Sequence, residues 1–153
     1  MQVFTRRATE SDCLVLEELE AEARANLDHF RGGLRHGYEF ELIGEQWKRF
    51  IADSSITAFV AGVDETVMGY LVAKLSQTKS GKIATIEQVF VTRDARNIGI
   101  GDALVSATIA WAKAESLVAL DGFALPGDRE TKNLFERSGL VARLITVTTD
   151  LKN

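Results

Sequence analysis

The stretch from residue 81 to residue 125 constrains this chain more than any other. It begins with an apolar run, GKIATIEQVFV, followed by a turn bearing two glycines, RNIGIG. An amphipathic stretch comes next, with Leu104, Val105, Thr108, Ile109, Trp111 and Ala112 on one helical face, and then a second apolar run, LVALDGFAL. A strand that passes through a helix into another strand of the same sheet requires a crossover, and a crossover leaves the two strands parallel. A second unit of the same kind follows. GDRETKNLFERSG reads as a helix, with Asp128 as N-cap and Gly139 as left-handed C-cap, and LVARLITVTTDL reads as a closing strand.

The first half has a different rhythm. VFTRRA is a short strand leading into TESDCLVLEELEAEARANL, where Leu14, Val15, Leu19 and Ala23 recur at helical spacing. Thr9 and Asp12 have the form of a capping box, with Asp in place of the usual Glu, and set the helix start. DHFRGGLRHGYEFE reads as a loop and GEQWKRFIAD as a second, shorter helix. SITAFVAGV and TVMGYLVAKL form two strands joined in hairpin style at Asp64-Glu65. The predicted order is βααβββαβαβ in one domain spanning residues 1–153, an α/β (α+β) chain with a mixed sheet.

Composition narrows the functional classes. A net charge of -4 argues against a general binder of nucleic acid or anionic membrane. Cys13 is alone, so no disulfide can form within one chain. The opening MQVFTRRATESD lacks the apolar core of a secretory signal, and no run approaches the roughly 18 to 20 apolar residues of a membrane span. A cytoplasmic protein is expected, with neither nucleic acid nor membrane as partner.

The glycine-bearing turn sits where a strand hands over to a helix. Backbone N–H groups converge at such a helix start, and the helix dipole adds roughly half a positive charge there. Glycine permits positive φ and close approach of the backbone to an anion, and Arg96 adds charge-assisted hydrogen bonds to phosphate oxygens. The turn therefore suits a diphosphate. A P-loop would need Lys-Ser or Lys-Thr after Gly101, and a dinucleotide fingerprint would need Gly or Ala where Leu104 stands.

R-x-x-G-x-G does fit, spelled Arg96-Asn97-Ile98-Gly99-Ile100-Gly101. Preceded by IEQVFV and followed by DALVSATIAWA, it resembles the acetyl-CoA pyrophosphate loop of the GNAT N-acetyltransferase superfamily. LFERSGL resembles that family's second signature, and RRATESD its usual entry into the first helix. The element order is similar along nearly the whole chain. The resemblance implies a GNAT fold: a central mixed, mostly antiparallel sheet with a splayed parallel strand pair, flanked by helices. It implies acetyl-CoA as co-substrate, no metal, and an amine acceptor on a small molecule or a protein. A homodimer is left open.

The resemblance also assigns residues. The splayed strands should be TIEQVFV and LDGFAL, with Val89, Phe90 and Val91 lining the pantetheine arm and its amides paired to the backbone of Phe90 and Val91. The pyrophosphate should rest on the amides of Asn97, Ile98, Gly99, Ile100 and Gly101 beside Arg96. Asp128 should cap its helix and accept a pantetheine hydrogen bond. Glu87 is the candidate base. Strand alternation places it on the face of Val89 and Val91, and a carboxylate in an apolar strand is costly unless it is partnered or catalytic. A surface pairing with Lys82 is the alternative. Where the family often has a tyrosine that protonates the departing thiolate, this chain has Phe135. Solvent, Tyr38 or Tyr70 would then serve, or the protein is a weak or inactive acyl-CoA-binding sensor. His29 and His36 flank RGGLR, in the segment that borders the acceptor site in this family. Arg93 is a candidate for the 3'-phosphate of CoA. Cys13 reads as a small apolar filler.

Overall fold

ITAFVAGV is apolar on both sides because both of its sides are covered. This strand, β2 (Ile56–Val63), is buried along its whole length, as expected for a strand with packed layers on each face. In a computed structural model describing residues 1–152, it lies within a five-stranded sheet of order β1-β2-β3-β4-β5. The other strands are β1 (Val3–Arg7), β3 (Thr66–Thr78), β4 (Gly81–Val91) and β5 (Ala119–Gly122). The first four pair antiparallel in succession, and β5 joins β4 in parallel. The β2–β3 turn falls at Asp64, whose φ of 55° suits a tight hairpin.

Five helices surround the sheet: α1 (Cys13–Ala25), α2 (Gly33–Glu39), α3 (Trp47–Ile51), α4 (Ile100–Ala114) and α5 (Arg129–Arg137). Two cores result. One packs Ile100, Leu104 and Val105 of α4, with Leu134 and Phe135 of α5, against Phe59, Leu71 and Ile86. The other packs Leu16 and Leu19 of α1, with Trp47 of α3, against Val60, Tyr70 and Val72. No helix among the described residues is long and apolar enough to cross a membrane.

Three segments differ from the sequence reading. The stretch expected as a loop holds a two-turn helix, α2, whose N-cap Gly32 is left-handed at φ 78°. The capping box of Thr9 and Asp12 starts a single 3-10 turn (Glu10–Asp12), and α1 follows it directly at Cys13. The closing strand expected at residues 140–151 is not formed. That segment has no regular structure and from Val141 onward its side chains are exposed, because a strand needs a neighbour for its N–H and C=O groups and none lies beside it among the described residues.

Asp12 ties β1 to the start of α1. Its carboxylate accepts from both Arg6 guanidinium nitrogens at 2.7 and 2.9 Å and from the Thr9 amide at 2.8 Å. The Arg6 hydrogen bonds hold the Asp12 carboxyl below the usual carboxylate range despite burial. A depressed folded-state pKa stabilises above the unfolded value, about 4, and that stabilisation is lost as pH falls through the folded value. Asp12→Asn should therefore cost about 1–2 kcal/mol at pH 7, and the gap from the parent should narrow below pH ~4. Urea midpoints at pH 7 and pH 3 check this; a gap that stays constant contradicts it.

Candidate active site

The sheet comes apart between β4 and β5. Their pairing runs from Ile83–Ala119 to Ile86–Gly122 and stops there, while β4 continues to Val91 against β3. From Glu87 onward β4 has no strand on its β5 side among the described residues. At the same point the β3–β4 register slips: Ala73 faces Ile86 and Val72 faces Gln88, which leaves Glu87 as the extra residue of a bulge.

The bulge corrects the expected orientation of Glu87. Ile86 and Val89 both pack into the α4-side core although three residues apart, which plain alternation forbids. Glu87 and Gln88 instead line a cleft of about 420 Å³ on the α1 side, between α1, α2, the opened end of β4 and residues 123–125. Glu87 is in no ion pair among the described residues, and the Lys82 pairing is not formed; Lys74 lines the same cleft.

One wall of the cleft is built on Glu20, which is buried. Its two oxygens accept from the amides of Ile43 and Gly44 at 3.0 Å each, from Trp47 Nε1 at 3.2 Å and from Gln88 Nε2 at 3.1 Å. Gln88 in turn accepts from the Tyr70 hydroxyl at 2.5 Å. Burial, with Glu20 close by, pushes the Tyr70 hydroxyl well above the ordinary phenol range. Four donors on one carboxylate lock α1, the segment before α3 and the bulge together. Sequence reading missed Glu20. The signal was its spacing, since Leu16, Leu19 and Glu20 share the buried face of α1, whereas Glu17, Glu18 and Glu22 of the same helix are not buried.

The opposite wall is aromatic. His36 stacks on Phe40 at 4.3 Å and meets Phe123 edge-on at 5.5 Å. Burial and the nearby Arg24 hold His36 below its usual pKa, so it is neutral near pH 7. Arg24 also fastens α2, donating to the carbonyls of Gly37 at 2.7 Å and of Phe40. His29 and Tyr38 do not line the cleft, and Tyr38 is exposed.

Val89, Phe90 and Asp128 line the cleft as well. Asp128 caps α5, accepting from the Thr131 amide at 3.2 Å and its hydroxyl at 2.8 Å. Val91 faces the α4-side core, and residues 96–101 lie past the end of β4. There Asn97 and Gly99 are exposed and take φ of 67° and 92°, while Ile98 and Ile100 anchor the loop in the core. The first intrahelical bond of α4 runs from the Ala103 amide to the Gly99 carbonyl at 3.0 Å, so the amides ahead of it remain free for an outside acceptor. The two glycines differ in role. Gly99 needs its left-handed backbone and has open space around it. Gly101 is already helical, and a Cβ there would stand 3.2 Å from Leu134, so it serves helix packing.

Two further residues depart from expectation. Arg96 is not free: its Nη1 pairs with Glu130 at 2.9 Å and its guanidinium lies over the Phe90 ring. Phe135 does not line the cleft. Its ring presses on the backbone of Gly122, where a Cβ would come within 3.0 Å, so it backs the end of β5 from the α4 side. Among the described residues no group of three or more His, Cys, Asp or Glu is placed to hold a metal ion.

Comparison with known proteins places this geometry. The model of the acetyltransferase (GNAT) family matches residues 16–140. The chain belongs to the GNAT family. Among solved structures, a single-site variant of the BH1408 protein from Bacillus halodurans has a TM-score of 0.82 at 23% identity, covering 97% of this chain and 99% of that one. A ribosomal-protein-alanine N-acetyltransferase from Brucella melitensis biovar Abortus 2308 has a TM-score of 0.75 at 19% identity, covering 99% and 100%. The aminoglycoside acetyltransferase AAC(6')-Iy, solved with a bisubstrate analog of CoA and acetylneamine, has a TM-score of 0.69 at 15% identity, covering 98% and 99%. None of the curated proteins compared with the chain matches it in sequence.

The Glu20 hub yields a test of its own. Glu20→Ala leaves two amides, an indole N–H and Gln88 without their acceptor, and should lower stability by about 1–3 kcal/mol. Glu20→Gln, which keeps one acceptor oxygen, should lose less. Denaturant midpoints of the two variants check this, and an unchanged midpoint for Glu20→Ala contradicts the hub.

Proposed function

We propose that this protein transfers an acetyl group from acetyl-CoA to an amine by direct attack within the cleft. One observation carries the reading: an unpaired carboxylate, Glu87, stands where β4 leaves β5, on the strand that runs into the loop of Arg96 to Gly101. The free amides at the start of α4, the open space at Gly99 and the unpaired β4 edge fit a phosphate-bearing chain laid along the strand.

Acetyl-CoA supplies an acyl carbonyl activated as a thioester. Glu87 takes a proton from the acceptor nitrogen as it bonds to that carbonyl, and the carbon–sulfur bond then breaks. Backbone groups of Phe90 and Val91 orient the pantetheine amides, the loop holds the pyrophosphate, and Arg96 turns from Glu130 to the phosphates. Asp128 keeps its cap and offers a remaining lone pair to the pantetheine. The cleft wall holds Glu20, Glu41, Glu87 and Asp128, with Glu39 already paired to Arg35, against the two cations Lys74 and Arg24. That balance favours a cationic amine, as on an amino sugar, a polyamine or a protein amine. AAC(6')-Iy, whose ligand carries an amino sugar, is one structural neighbour.

A second reading, an acyl-CoA-binding module with little turnover, is favoured by one feature. Neither Phe135, which is apolar and buried, nor Tyr70, whose hydroxyl is already donated to Gln88, stands ready to protonate the thiolate. Thiol release from acetyl-CoA across a panel of amines separates the two. Glu87→Gln should lower turnover by the ~10²–10⁴-fold typical of lost acid–base catalysis with acetyl-CoA affinity little changed. Full activity in Glu87→Gln would remove it as the base.

Binding only the native state raises stability by mass action, so acetyl-CoA or CoA should raise the melting temperature where ATP and NAD do not. Gly99→Val, strained at φ 92° but with open space around its Cβ position, should abolish that shift while the protein stays folded. An undiminished CoA shift in folded Gly99→Val would sink the loop assignment.

A further inference from the structure

Ile86 and Gly122 are the last paired residues of the two parallel strands, so Glu87 and Phe123 are the first residues past the opening on either side. Parallel neighbours lie about 4.8 Å apart before they part, and both residues line the cleft. A carboxylate and a phenyl ring thus stand at the two lips of one opening. Phe123 is 39% exposed and belongs to neither core. Its ring meets His36 at 5.5 Å and Phe40 at 5.9 Å instead. Phe40 is itself 42% exposed, so this aromatic corner keeps open ring surface beside the cleft. The corner carries no charge near pH 7, because His36 is neutral there.

Most polar side chains of the cleft are engaged with other groups of the protein. Tyr70 donates to Gln88 and Gln88 to Glu20, while Arg24 is held by two carbonyls, Asp128 by Thr131 and Glu39 by Arg35. Among the described residues, the lining side chains without a protein partner are Glu41, Lys74, Glu87 and His36, and the first two are exposed. A ligand dense in hydroxyls would leave many of them without a partner on desolvation, each at a cost. A second ammonium, as on a polyamine, would have only the exposed Glu41 to meet. A ligand with one ammonium and a flat apolar body leaves nothing unpaired.

We propose that the acceptor is an arylalkylamine, a primary amine joined by a short alkyl arm to an aromatic ring, with its nitrogen at Glu87 and its ring against Phe123 and Phe40. The proposal rests on the acetyl-transfer reading and narrows its cationic amine to one charge and one ring. The arm is short because Glu87 and Phe123 start from neighbouring strand positions. Ring pairs gain most from offset or edge-to-face contact, which a corner of three rings set at different tilts can offer from more than one side. The cleft, at about 420 Å³, falls within the roughly 300–1,000 Å³ of small-molecule sites. Phe123 is then the residue that determines acceptor specificity.

Calorimetry on the protein, with and without CoA, tests the pocket apart from turnover. Phenethylamine should bind roughly two- to tenfold more tightly than cyclohexylethylamine, which has the same reach without an aromatic face. It should also bind more tightly than spermidine or glucosamine. Phe123→Ala, which removes a ring outside both cores, should weaken phenethylamine about tenfold and erase its advantage over the cyclohexyl amine, with acetyl-CoA affinity unchanged. Phe123→Tyr should keep that advantage. Equal binding of the two ring amines, or tighter binding of spermidine or glucosamine, overturns the proposal. So does an equal loss of acetyl-CoA affinity in Phe123→Ala, which would put the ring against the cofactor. Thiol release from acetyl-CoA reads the chemistry separately. Release with another amine and none with phenethylamine overturns this proposal alone. No release with any amine overturns the transfer reading, and the pocket's selectivity then stands or falls on the calorimetry.

Discussion

The end of β4–β5 pairing at Ile86 and Gly122 is the constraint on which the rest of this molecule depends. A parallel pair that stops midway leaves a row of N–H and C=O groups on one strand with nothing opposite, and buried backbone groups of that kind must be satisfied or reached by an outside chain. The bulge at Glu87 sits at the same point and increases local twist, which is how a strand leaves its neighbour without breaking the ladder on its other side. Cleft, carboxylate and unpaired edge thus have one origin.

Keeping a sheet open requires support on both faces. On the α1 side, Glu20 gathers two amides, an indole and Gln88, so the bulge is tied to the helix layer through a carboxylate with no open donor site facing it. On the α4 side, Phe135 braces Gly122, and only a residue without a Cβ allows the ring so near the backbone. The phenylalanine that looks like a missing catalytic tyrosine in sequence is a structural prop in this arrangement. The site's rigidity therefore rests on groups that do not line the cleft or that are fully engaged within its wall.

What the sequence disclosed follows from which signals are local. The strand–turn–helix around Arg96 to Gly101, the Asp128 cap and the Asp64 hairpin were legible because turn and cap chemistry is carried by adjacent residues. The parallel pair was legible from the crossover alone. The facing of Glu87 was not, since one inserted residue reverses strand parity and the bulge is set by the partner strand β3. Glu20 was hidden among the other glutamates of α1, and the α2 helix within a glycine-rich stretch that propensity assigns to a loop. The missing last strand marks the other limit. Residues 140–151 have every local property of a strand, and a strand exists only where another edge accepts it.

The electrostatics of the loop follow the same logic. In the free protein Arg96 lies between Glu130, the Val91 carbonyl and the Phe90 face, so its charge is matched and its donors are engaged before any phosphate arrives. Glu130 is exposed, and an exposed ion pair contributes at most about 1 kcal/mol. In the proposed binding mode a diphosphate would meet Arg96 together with the free amides of α4 and the helix dipole, a combination no single carboxylate can reproduce. The Glu130 contact holds the guanidinium near the end of β4 at a strength that the proposed phosphate ligand could match, so under that proposal the loop presents an ordered arginine at little cost.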